Sequence, residues 1–316
     1  MKVSVLVPTF KRAAYLEKCL ISLFNQKRLP DEIISITVRG DTDTHNLIER
    51  FRQEGIKGEI IKEVLIDKAN IVYAENQGLA SAVGDIICFI DDDATAFDDW
   101  IERILKHYEA DSSIGGVGGP VIPFVSGAPV IEYTKIFGQI NWWGRRITNT
   151  RKVPVSLQEV DMLRGCNMSF RRALLKKFDE NLLPYWRRFE DDACLSVKAQ
   201  GYKIISDPQV LVLHFEFPVL NNQRIDNTKE TIIGLNHNSI YVKLKHFKSL
   251  RKICAVIYEF ILGDETTPGL LALIIYAVLR LDLHKLYIFY FAFLGKIMGI
   301  WTYFKIFGLR GRQCFS

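Results

Sequence analysis

Residues 85–93 read DIICFIDDD, an apolar run that ends in three consecutive aspartates. The run has the length and composition of a strand that is buried on both faces, as in a parallel sheet. Adjacent carboxylates repel one another, so a cation or several hydrogen-bond donors are expected to offset their charge. The stretch therefore predicts a strand with an anionic site at its carboxyl end. Capping of the following helix by the same aspartates is the structural alternative.

Strand-like and helix-like patterns alternate on the N-terminal side of this stretch. The apolar runs Val3–Val7, Glu32–Val38 and Gly58–Ile66 predict strands, and a segment with helical spacing of apolar residues follows each of them. Such alternation predicts an α/β fold with a doubly wound, mostly parallel sheet. Ligands bind such sheets beyond the carboxyl ends of the strands, so we expect the loops after the first, second and fourth strands to share one crevice.

The pattern is less regular in the second half of the chain. The Gly-rich patch Gly115–Pro120 interrupts it, and residues 121–160 carry many aromatics without clear periodicity, which indicates a variable insertion. The remaining predicted elements are strands over Asp161–Phe170, Lys203–Ser206 and Val210–His214, a helix that begins near Arg171, and a helix from about Glu190 to Gln200.

Composition excludes several classes of protein. The formal charge of the 316-residue chain is only +5, and there is no zinc-finger spacing or Arg/Gly-rich stretch, so we expect no nucleic-acid partner. The six cysteines form no CxxC pair, which is typical of reduced thiols in a cytosolic protein. The opening MKVSVLVPTFKR has too short an apolar run for a signal peptide and is interpreted as the first strand.

The three aspartates have a geometry that suits a metal ion. Alternation along an extended chain places Asp91 and Asp93 on one side and Asp92 on the other. Mg²⁺ or Mn²⁺ held by one or two carboxylates completes its coordination with water and substrate phosphate. The spacing therefore fits a cation that bridges the protein and a diphosphate.

Several stretches that are weak alone occur together and in order. They are VSVLVPTFKR (3–12), NQGLASAVGDIICFIDDDA (76–94), RGCNMSFRR (164–172), FEDD (189–192) and QGYKIISDPQVLVLH (200–214). Together they resemble the inverting family 2 glycosyltransferases over roughly residues 1–215. The resemblance implies a GT-A nucleotide-diphospho-sugar transferase fold. It also implies transfer of a sugar from a nucleotide-sugar, with UDP as the expected nucleotide, to a hydroxyl of a lipid-linked or cell-surface glycan.

The resemblance implies roles for the matching residues. Those expected to contact the donor nucleotide are Pro8, Thr9, Arg12, Asp41, Asn76, Gly78 and Asp92. The expected metal ligands are Asp91, Asp93 and His214, and the expected loop at the transferred sugar and the acceptor is Gly165, Cys166 and Asn167. A simple turn at Gly165 and a buried structural role for His214 are the alternatives.

Two positions depart from the family pattern. The segment Arg39–Asp43 reads RGDTD where the family has two adjacent aspartates, and Glu75 stands where the family has an arginine before Asn76. These departures make the identity of the nucleotide less secure than the metal site.

Glu190 and Asp191 resemble the family's Glu-Asp pair, whose aspartate removes the proton of the acceptor hydroxyl. The resemblance therefore implies that Asp191 is the catalytic base, while the interval to Gly201 favours Glu190. Their place at the predicted start of a helix is also typical of carboxylates that stabilise a helix N-terminus. The choice between the two stays open at this point.

The C-terminal region combines basic and apolar segments. The stretch KLKHFKSLRK (243–252) carries five Lys/Arg, and such clusters are attracted to anionic lipid at the cytoplasmic membrane face. Leu270–Leu279 is too short to span a bilayer, and Leu286–Phe304 has 19 residues with Lys296 as its only charge. A central lysine costs ~2.5–3.5 kcal/mol on insertion scales, so in-plane or re-entrant helices are favoured over one marginal transmembrane span. Packing on the catalytic body, or a homo-oligomer interface, is the remaining alternative.

These patterns predict a catalytic domain over residues 1–220 and a helical, membrane-associating region over residues 221–316. The catalytic domain would divide into a nucleotide-binding half (1–115) and an acceptor half (116–220). The expected location is the cytoplasmic face of the cell membrane. The alternatives are a sugar-phosphate nucleotidyltransferase, which normally needs a Gly-rich phosphate loop near the first strand, and a non-catalytic scaffold of the same fold.

Overall fold

The apolar run before the three aspartates is a strand, and it lies inside an eight-stranded sheet. The computed structural model describes residues 1–55, 57–183, 187–215, 228–264, 267–275 and 283–308. Its strands are β1 (Val3–Thr9), β2 (Glu32–Val38), β3 (Ile61–Ile66), β4 (Ile86–Phe89), β5 (Ala94–Ala96), β6 (Ile114–Gly118), β7 (Val121–Val125), β8 (Ala128–Pro129), β9 (Tyr133–Thr134), β10 (Gln139–Ile140), β11 (Arg146–Ile147), β12 (Val153–Pro154), β13 (Gln158–Glu159), β14 (Met168–Arg171), β15 (Lys203–Ser206) and β16 (Val212–Phe215). Its helices are α1 (Ala13–Phe24), α2 (Thr42–Gln53), α3 (Ile71–Ser81), α4 (Trp100–Ala110), α5 (Phe189–Lys198), α6 (Lys229–His246), α7 (Ser249–Ile261), α8 (Leu270–Leu273) and α9 (Leu283–Tyr303).

The chain divides into two compact units. The first comprises Met1–Gln139, Thr148–Phe178 and Ala193–Phe217, and it contains the eight-stranded sheet. The second comprises Ile140–Ile147, Asp179–Asp192 and Pro218–Ser316. Two short internal segments therefore group with the C-terminal helices, and the predicted domain boundary at residue 220, which lies outside the described residues, stays a prediction.

The large sheet has the strand order β13-β15-β6-β14-β4-β1-β2-β3. β1 pairs in parallel with β2 and β4, and β2 pairs in parallel with β3, as the alternating pattern predicted. The antiparallel strand β14 lies between β4 and β6. Because β1 and β4 run in the same direction, the residues that follow them leave the sheet at the same edge.

Apolar spacing and one glycine explain how helices cover this sheet. α1 buries Leu16, Leu20 and Leu23, which recur at intervals of three and four residues. In α3, Gly78 allows close approach to the sheet, since a Cβ there would lie 2.7 Å from Leu6 Cδ2 and 3.0 Å from Ile36 Cδ1. Packing of α3 on β1 and β2 thus accounts for the glycine without a ligand.

The Gly-rich patch that appeared to interrupt the pattern includes strand β6 and is not a break in the fold. Glycine is needed because the backbone of distant segments passes very close to it. A Cβ on Gly118 would lie 2.4 Å from the carbonyl oxygen of Asn167, and one on Gly119 would lie 2.1 Å from that of Val210. The sequence shows the glycines but not the neighbours that require them.

The helix predicted to begin near Arg171 is wrong. Arg171 is the last residue of β14, and a short turn follows it. Its guanidinium donates to the carbonyl oxygens of Ile114 (2.7 Å) and Tyr108 (2.9 Å), which holds this position against β6 and α4. The tertiary contacts of Arg171 therefore override the local helical pattern.

Lys296 lies inside the second unit, although its sequence position indicated a charge within a membrane segment. Its ammonium group donates to the carbonyl oxygens of Glu259 (2.5 Å), Pro268 (2.8 Å) and Thr267 (3.2 Å). It also lies 3.5 Å from the Glu259 carboxylate. Because protein carbonyl oxygens and a carboxylate surround Lys296, the free-energy cost of inserting a lysine into lipid does not apply to it. Among the described helices, one segment, Leu286–Gly308, is long and apolar enough to cross a membrane.

Asp179 organises a polar network in the second unit. Its carboxylate accepts hydrogen bonds from Lys245 Nζ (2.7 Å) and Tyr241 Oη (2.8 Å). Burial opposes the charge, but these partners and the Asn181 backbone outweigh it and lower the pKa of Asp179 to about 2. The folded state therefore favours the ionised carboxylate.

We expect Asp179→Asn to lower the free energy of unfolding by about 1–3 kcal/mol at pH 7. Because the pKa is depressed on folding, this contribution is complete above the unfolded pKa near 4 and is lost as the pH falls towards 2. Urea unfolding of both proteins between pH 7 and pH 3 measures the difference. Asp98→Asn, which breaks an exposed pair with Lys27, is the matched control and should cost little. A penalty that does not shrink between pH 7 and pH 3 would contradict the assignment.

Candidate active site

The acidic loop after β4 is neutralised by donors from the loop after β1. Asp92 accepts hydrogen bonds from Thr9 Oγ1 (2.8 Å) and Arg12 Nη1 (2.9 Å), and the same Arg12 nitrogen donates to Asp93 at 3.0 Å. Asp92 and Asp93 are buried, whereas the side chain of Asp91 is 41% exposed. The burial of Asp92 outweighs its pairing with Arg12, so its pKa is raised to about 6.

The helix-capping alternative for the three aspartates is wrong. Strand β5 begins directly after them, and the next helix, α4, begins at Trp100 with Asp99 as its N-cap residue. The acidic loop is therefore not the start of a helix, and its three carboxylates need another explanation.

His214 faces the acidic loop because β16 pairs with β5, with His214 opposite Ala94. Its Nε2 lies 3.2 Å from Asp93 and 3.8 Å from Asp91. Burial disfavours a charged imidazole, but the neighbouring carboxylates of Asp91 and Asp93 outweigh it and raise the pKa of His214 to about 9. In the absence of a metal ion, the imidazolium therefore balances part of the carboxylate charge at neutral pH.

Asp91, Cys166 and His214 could together hold a metal ion, since their ligand atoms all lie within 4.8 Å of one another. A carboxylate oxygen and an imidazole nitrogen suit Mn²⁺, with water and substrate completing the shell. Burial and the charge of Asp91 raise the pKa of the Cys166 thiol, so it stays protonated and is a poor ligand for a hard cation. Asp91 and His214 are therefore the residues that fit Mg²⁺ or Mn²⁺, while Asp93 contacts His214 from outside this group. The predicted role of Asp93 as a ligand stays a prediction.

Several predicted donor-binding residues have structural contacts of their own. Asp41 caps α2 by accepting from the Thr44 backbone (3.3 Å), and it also accepts from the Lys11 backbone (2.5 Å). The Asn76 amide exchanges two hydrogen bonds with the backbone of Phe178 (2.7 and 3.1 Å). Pro8 lies within β1 opposite Ile36. Contact of these residues with a nucleotide stays a prediction.

The predicted acceptor loop is a turn anchored by Asn167. The Asn167 backbone N–H donates to Arg164 at 2.9 Å, and this closes the turn that contains Gly165 and Cys166. The Asn167 side chain accepts from Trp100 Nε1 (2.9 Å) and donates to the carbonyl oxygens of Pro120 (3.0 Å) and Val210 (2.8 Å). The amide oxygen and both amide N–H groups are therefore hydrogen-bonded within the fold, which fixes the turn. Contact of this turn with the sugar or the acceptor stays a prediction.

Asp191, in the second unit, is held by two arginines that the sequence analysis did not single out. Arg146 lies on β11 and places Nε 2.7 Å and Nη2 2.9 Å from the two carboxylate oxygens. Arg188 Nη1 lies 3.7 Å from the same carboxylate. Asp191 is buried, while Glu190 is half-buried. The sequence signal that could have indicated a cationic partner for Asp191 is the polar stretch Gly144–Arg146 within the aromatic insertion.

Comparison with known proteins identifies the family of the chain. The family model described as "Glycosyl transferase family 2" matches residues 4–179. The glucosyl-dolichyl phosphate glucuronosyltransferase of Haloferax volcanii is 26% identical over 69% of this chain and 71% of its own length. A dolichyl N-acetyl-alpha-D-glucosaminyl phosphate 3-beta-D-2,3-diacetamido-2,3-dideoxy-beta-D-glucuronosyltransferase of Methanococcus voltae is 25% identical over 67% of this chain and 66% of its own length.

Solved structures share the fold. S. aureus TarS (1–349) in complex with UDP-GlcNAc has a TM-score of 0.63 at 14% identity, covering 92% of this chain and 79% of that one. The mannosyltransferase PcManGT from Pyrobaculum calidifontis, with GDP-Man and Mn²⁺, has a TM-score of 0.56 at 15% identity and covers 95% and 87%. GalNAc-T7 with UDP, GalNAc and Mn²⁺ has a TM-score of 0.62 at 14% identity, and the match spans 90% of this chain but only 57% of that one. The expected GT-A fold is thereby confirmed.

We expect Asn167→Ala to lower the free energy of unfolding by about 2–3 kcal/mol, because it leaves Trp100 Nε1 and two buried carbonyl oxygens without their partner. Urea unfolding measures the loss. Asn46→Ala, at an exposed position of α2, is the matched control. Full stability combined with lost transfer activity would instead favour direct substrate contact by Asn167.

Proposed function

The chain belongs to glycosyltransferase family 2, and we propose that it is a metal-dependent inverting transferase that moves a sugar from a UDP-sugar to a hydroxyl group of a lipid-linked or cell-surface glycan. The observation that carries the proposal is the placement of Asp91 beside His214, next to the buried Asp92 and Asp93 and their partly exposed partner Arg12. Because the relatives are named glycosyltransferases, the nucleotidyltransferase and scaffold alternatives are not carried forward.

The donor assignment is supported by chemistry and by the relatives. Asp91 and His214 would hold a divalent cation, which offsets the charge of the departing nucleoside diphosphate when bound. Structures of the same fold were solved with UDP-GlcNAc and with GDP-Man and Mn²⁺. UDP is the nucleotide that the sequence resemblance implies, and we retain it in the proposal.

The proposed reaction is a single displacement that inverts the anomeric carbon. The acceptor oxygen forms a bond to that carbon while the bond from the carbon to the diphosphate oxygen breaks and its electron pair leaves with the nucleoside diphosphate. The hydroxyl proton passes to the carboxylate of Asp191, which Arg146 holds in one orientation. General-base help of this kind contributes ~10²–10⁴-fold to the rate. Glu190 is the alternative base.

The proposed location is the cytoplasmic face of a membrane, with the helices of the second unit in the lipid interface. On α7, Leu250, Ile253 and Ile257 are exposed and recur on one side of the helix. On α9, Tyr290 and Trp301 are more than 60% exposed. Apolar faces with basic residues nearby bind anionic lipid surfaces, and internal burial of Lys296 removes a charge that would oppose this.

In the presence of Mn²⁺, we expect the protein to hydrolyse a UDP-sugar or to transfer the sugar from it to an acceptor. EDTA should abolish this activity. Asp91→Asn should lower the activity by at least about tenfold, because a ligand of the ion is lost. A panel of UDP- and GDP-sugars with detection of the released nucleotide measures this. Asp98→Asn is the matched control. Full activity in EDTA would contradict metal dependence. Inactivity with every sugar of the panel would contradict the proposal that the donor is a nucleotide-sugar.

Asp191→Asn should lower kcat for transfer by ~10²–10⁴-fold and leave the affinity for UDP and Mn²⁺ unchanged, because the amide cannot accept the hydroxyl proton. Steady-state transfer kinetics and calorimetry measure the two quantities. Glu190→Gln is the comparison. If that variant loses kcat and Asp191→Asn does not, the base is Glu190.

Membrane association is tested by flotation with vesicles that contain anionic lipid. The double variant Ile253→Glu, Ile257→Glu should reduce the bound fraction severalfold, because it places two carboxylates on the apolar face of α7. Glu49→Gln and Asp43→Asn, which change charge on α2, are controls. Unchanged flotation of the α7 variant would contradict the proposed interface.

A further inference from the structure

Arg188 has an unusual backbone conformation for an arginine. Its φ of +83° lies in the left-handed region, which non-glycine residues rarely adopt. It directly precedes α5, whose first turn carries Glu190 and Asp191. Such backbone strain persists where the surroundings hold a residue in place, and it concentrates at binding and catalytic sites. The conformation alone does not identify a ligand, but it indicates that the position of this side chain matters.

The guanidinium of Arg188 is buried, and two of its hydrogen-bond donors have no partner among the described residues. The residue is 2% exposed, and neither Nε nor Nη1 makes a hydrogen bond within the part of the chain that the structure describes. Its distance of 3.7 Å from the Asp191 carboxylate exceeds hydrogen-bond length. Buried guanidinium donors are costly to leave unpaired, so a ligand or an ordered water is expected at them.

Asp191 does not require Arg188 as its counterion. Arg146 Nη2 donates a hydrogen bond to one oxygen of its carboxylate at 2.9 Å, and Arg146 Nε lies 2.7 Å from the other oxygen as an ion-pair contact without hydrogen-bond geometry. Arg146 therefore offsets Asp191, and the charge of Arg188 remains available to a second anion. A guanidinium donates strong, charge-assisted hydrogen bonds to phosphate oxygens. Nε and Nη1 of Arg188 lie on different edges of the group, and each is available for one such bond.

We propose that Arg188 binds the phosphate of a lipid-linked sugar acceptor. The inference rests on the proposed function, because it takes Asp191 as the group that receives the acceptor's proton. An anion held beside Asp191 would belong to the molecule whose hydroxyl reacts there. The acceptor class is therefore a phosphate-bearing glycolipid, because a phosphate accepts hydrogen bonds from Arg188 and also balances its charge, whereas the hydroxyl groups of a neutral glycan only accept hydrogen bonds.

The direct test is binding of n-decyl phosphate in the presence of saturating UDP and Mn²⁺, measured by calorimetry. We expect Arg188→Gln to weaken this binding by about 10–100-fold, the range of hydrogen bonds to charged groups. Arg187→Gln, at the exposed neighbouring position, is the matched control and should bind normally. Arg188→Gly is the second variant, since glycine accepts the positive φ and should fold while also losing the phosphate. Equal binding by wild type and both Arg188 variants would overturn the proposal.

Two further experiments distinguish a lipid phosphate from free phosphate as the ligand of Arg188, and failure of this inference from failure of the proposed function. Inorganic phosphate should bind more weakly than n-decyl phosphate, and equal affinity would overturn the lipid-linked assignment. In transfer assays, alkyl glycosyl phosphates should be better acceptors than alkyl glycosides of the same sugars, and Arg188→Gln should remove this preference. A preference that survives in Arg188→Gln would overturn the role of Arg188. Failure of wild type to use any nucleotide-sugar would defeat the proposed function, while the binding arm would still decide whether Arg188 holds a phosphate.

Discussion

Asp92 and Asp93 are buried side by side at the carboxyl end of β4, where like charges repel and bulk water cannot solvate them. Donors from separate parts of the chain make this possible: Thr9 ends β1, Arg12 follows it, and His214 lies on β16. Parallel pairing of β1 with β4 and antiparallel pairing of β16 with β5 bring them together. The charge of the buried aspartates is therefore offset only when these strands pair in this register. Asp91, which is left partly exposed, is the carboxylate that remains available to a ligand.

A similar arrangement holds a carboxylate in the second unit. Asp191 is buried at the start of α5 and forms an ion pair with Arg146, which lies on the short strand β11. Each unit thus uses one arginine, Arg12 or Arg146, to pair with a buried carboxylate and fix its orientation. Removal of such a partner normally costs more than the ion pair contributes, because the remaining charge stays buried. Both arginines are therefore expected to matter for the fold as well as for the reaction.

The sequence predicts those features whose causes are local. The strand before the aspartates, the helix α1, and the alternation of the first half follow from apolar spacing within a few residues. The order of the short motifs also identified the family and the place of His214. Gly118 and Gly119 were misinterpreted because the carbonyl groups that require them belong to Asn167 and Val210, far along the chain. The partners of Asn167, Arg146 and Lys296 were missed for the same reason. A hydrogen bond between distant segments leaves no periodic pattern in the sequence, and the insertion that carries Arg146 has no regular spacing.

The central claim is that Asp91 and His214 hold a divalent cation at the diphosphate of the donor. Electron spin echo spectroscopy of Mn²⁺ bound together with UDP tests it most directly. The account predicts a coupling to an imidazole nitrogen, which is lost in His214→Ala, and a coupling to phosphorus from the diphosphate. Bound Mn²⁺ that shows the phosphorus coupling with no nitrogen coupling, or the same nitrogen coupling in His214→Ala, would contradict it.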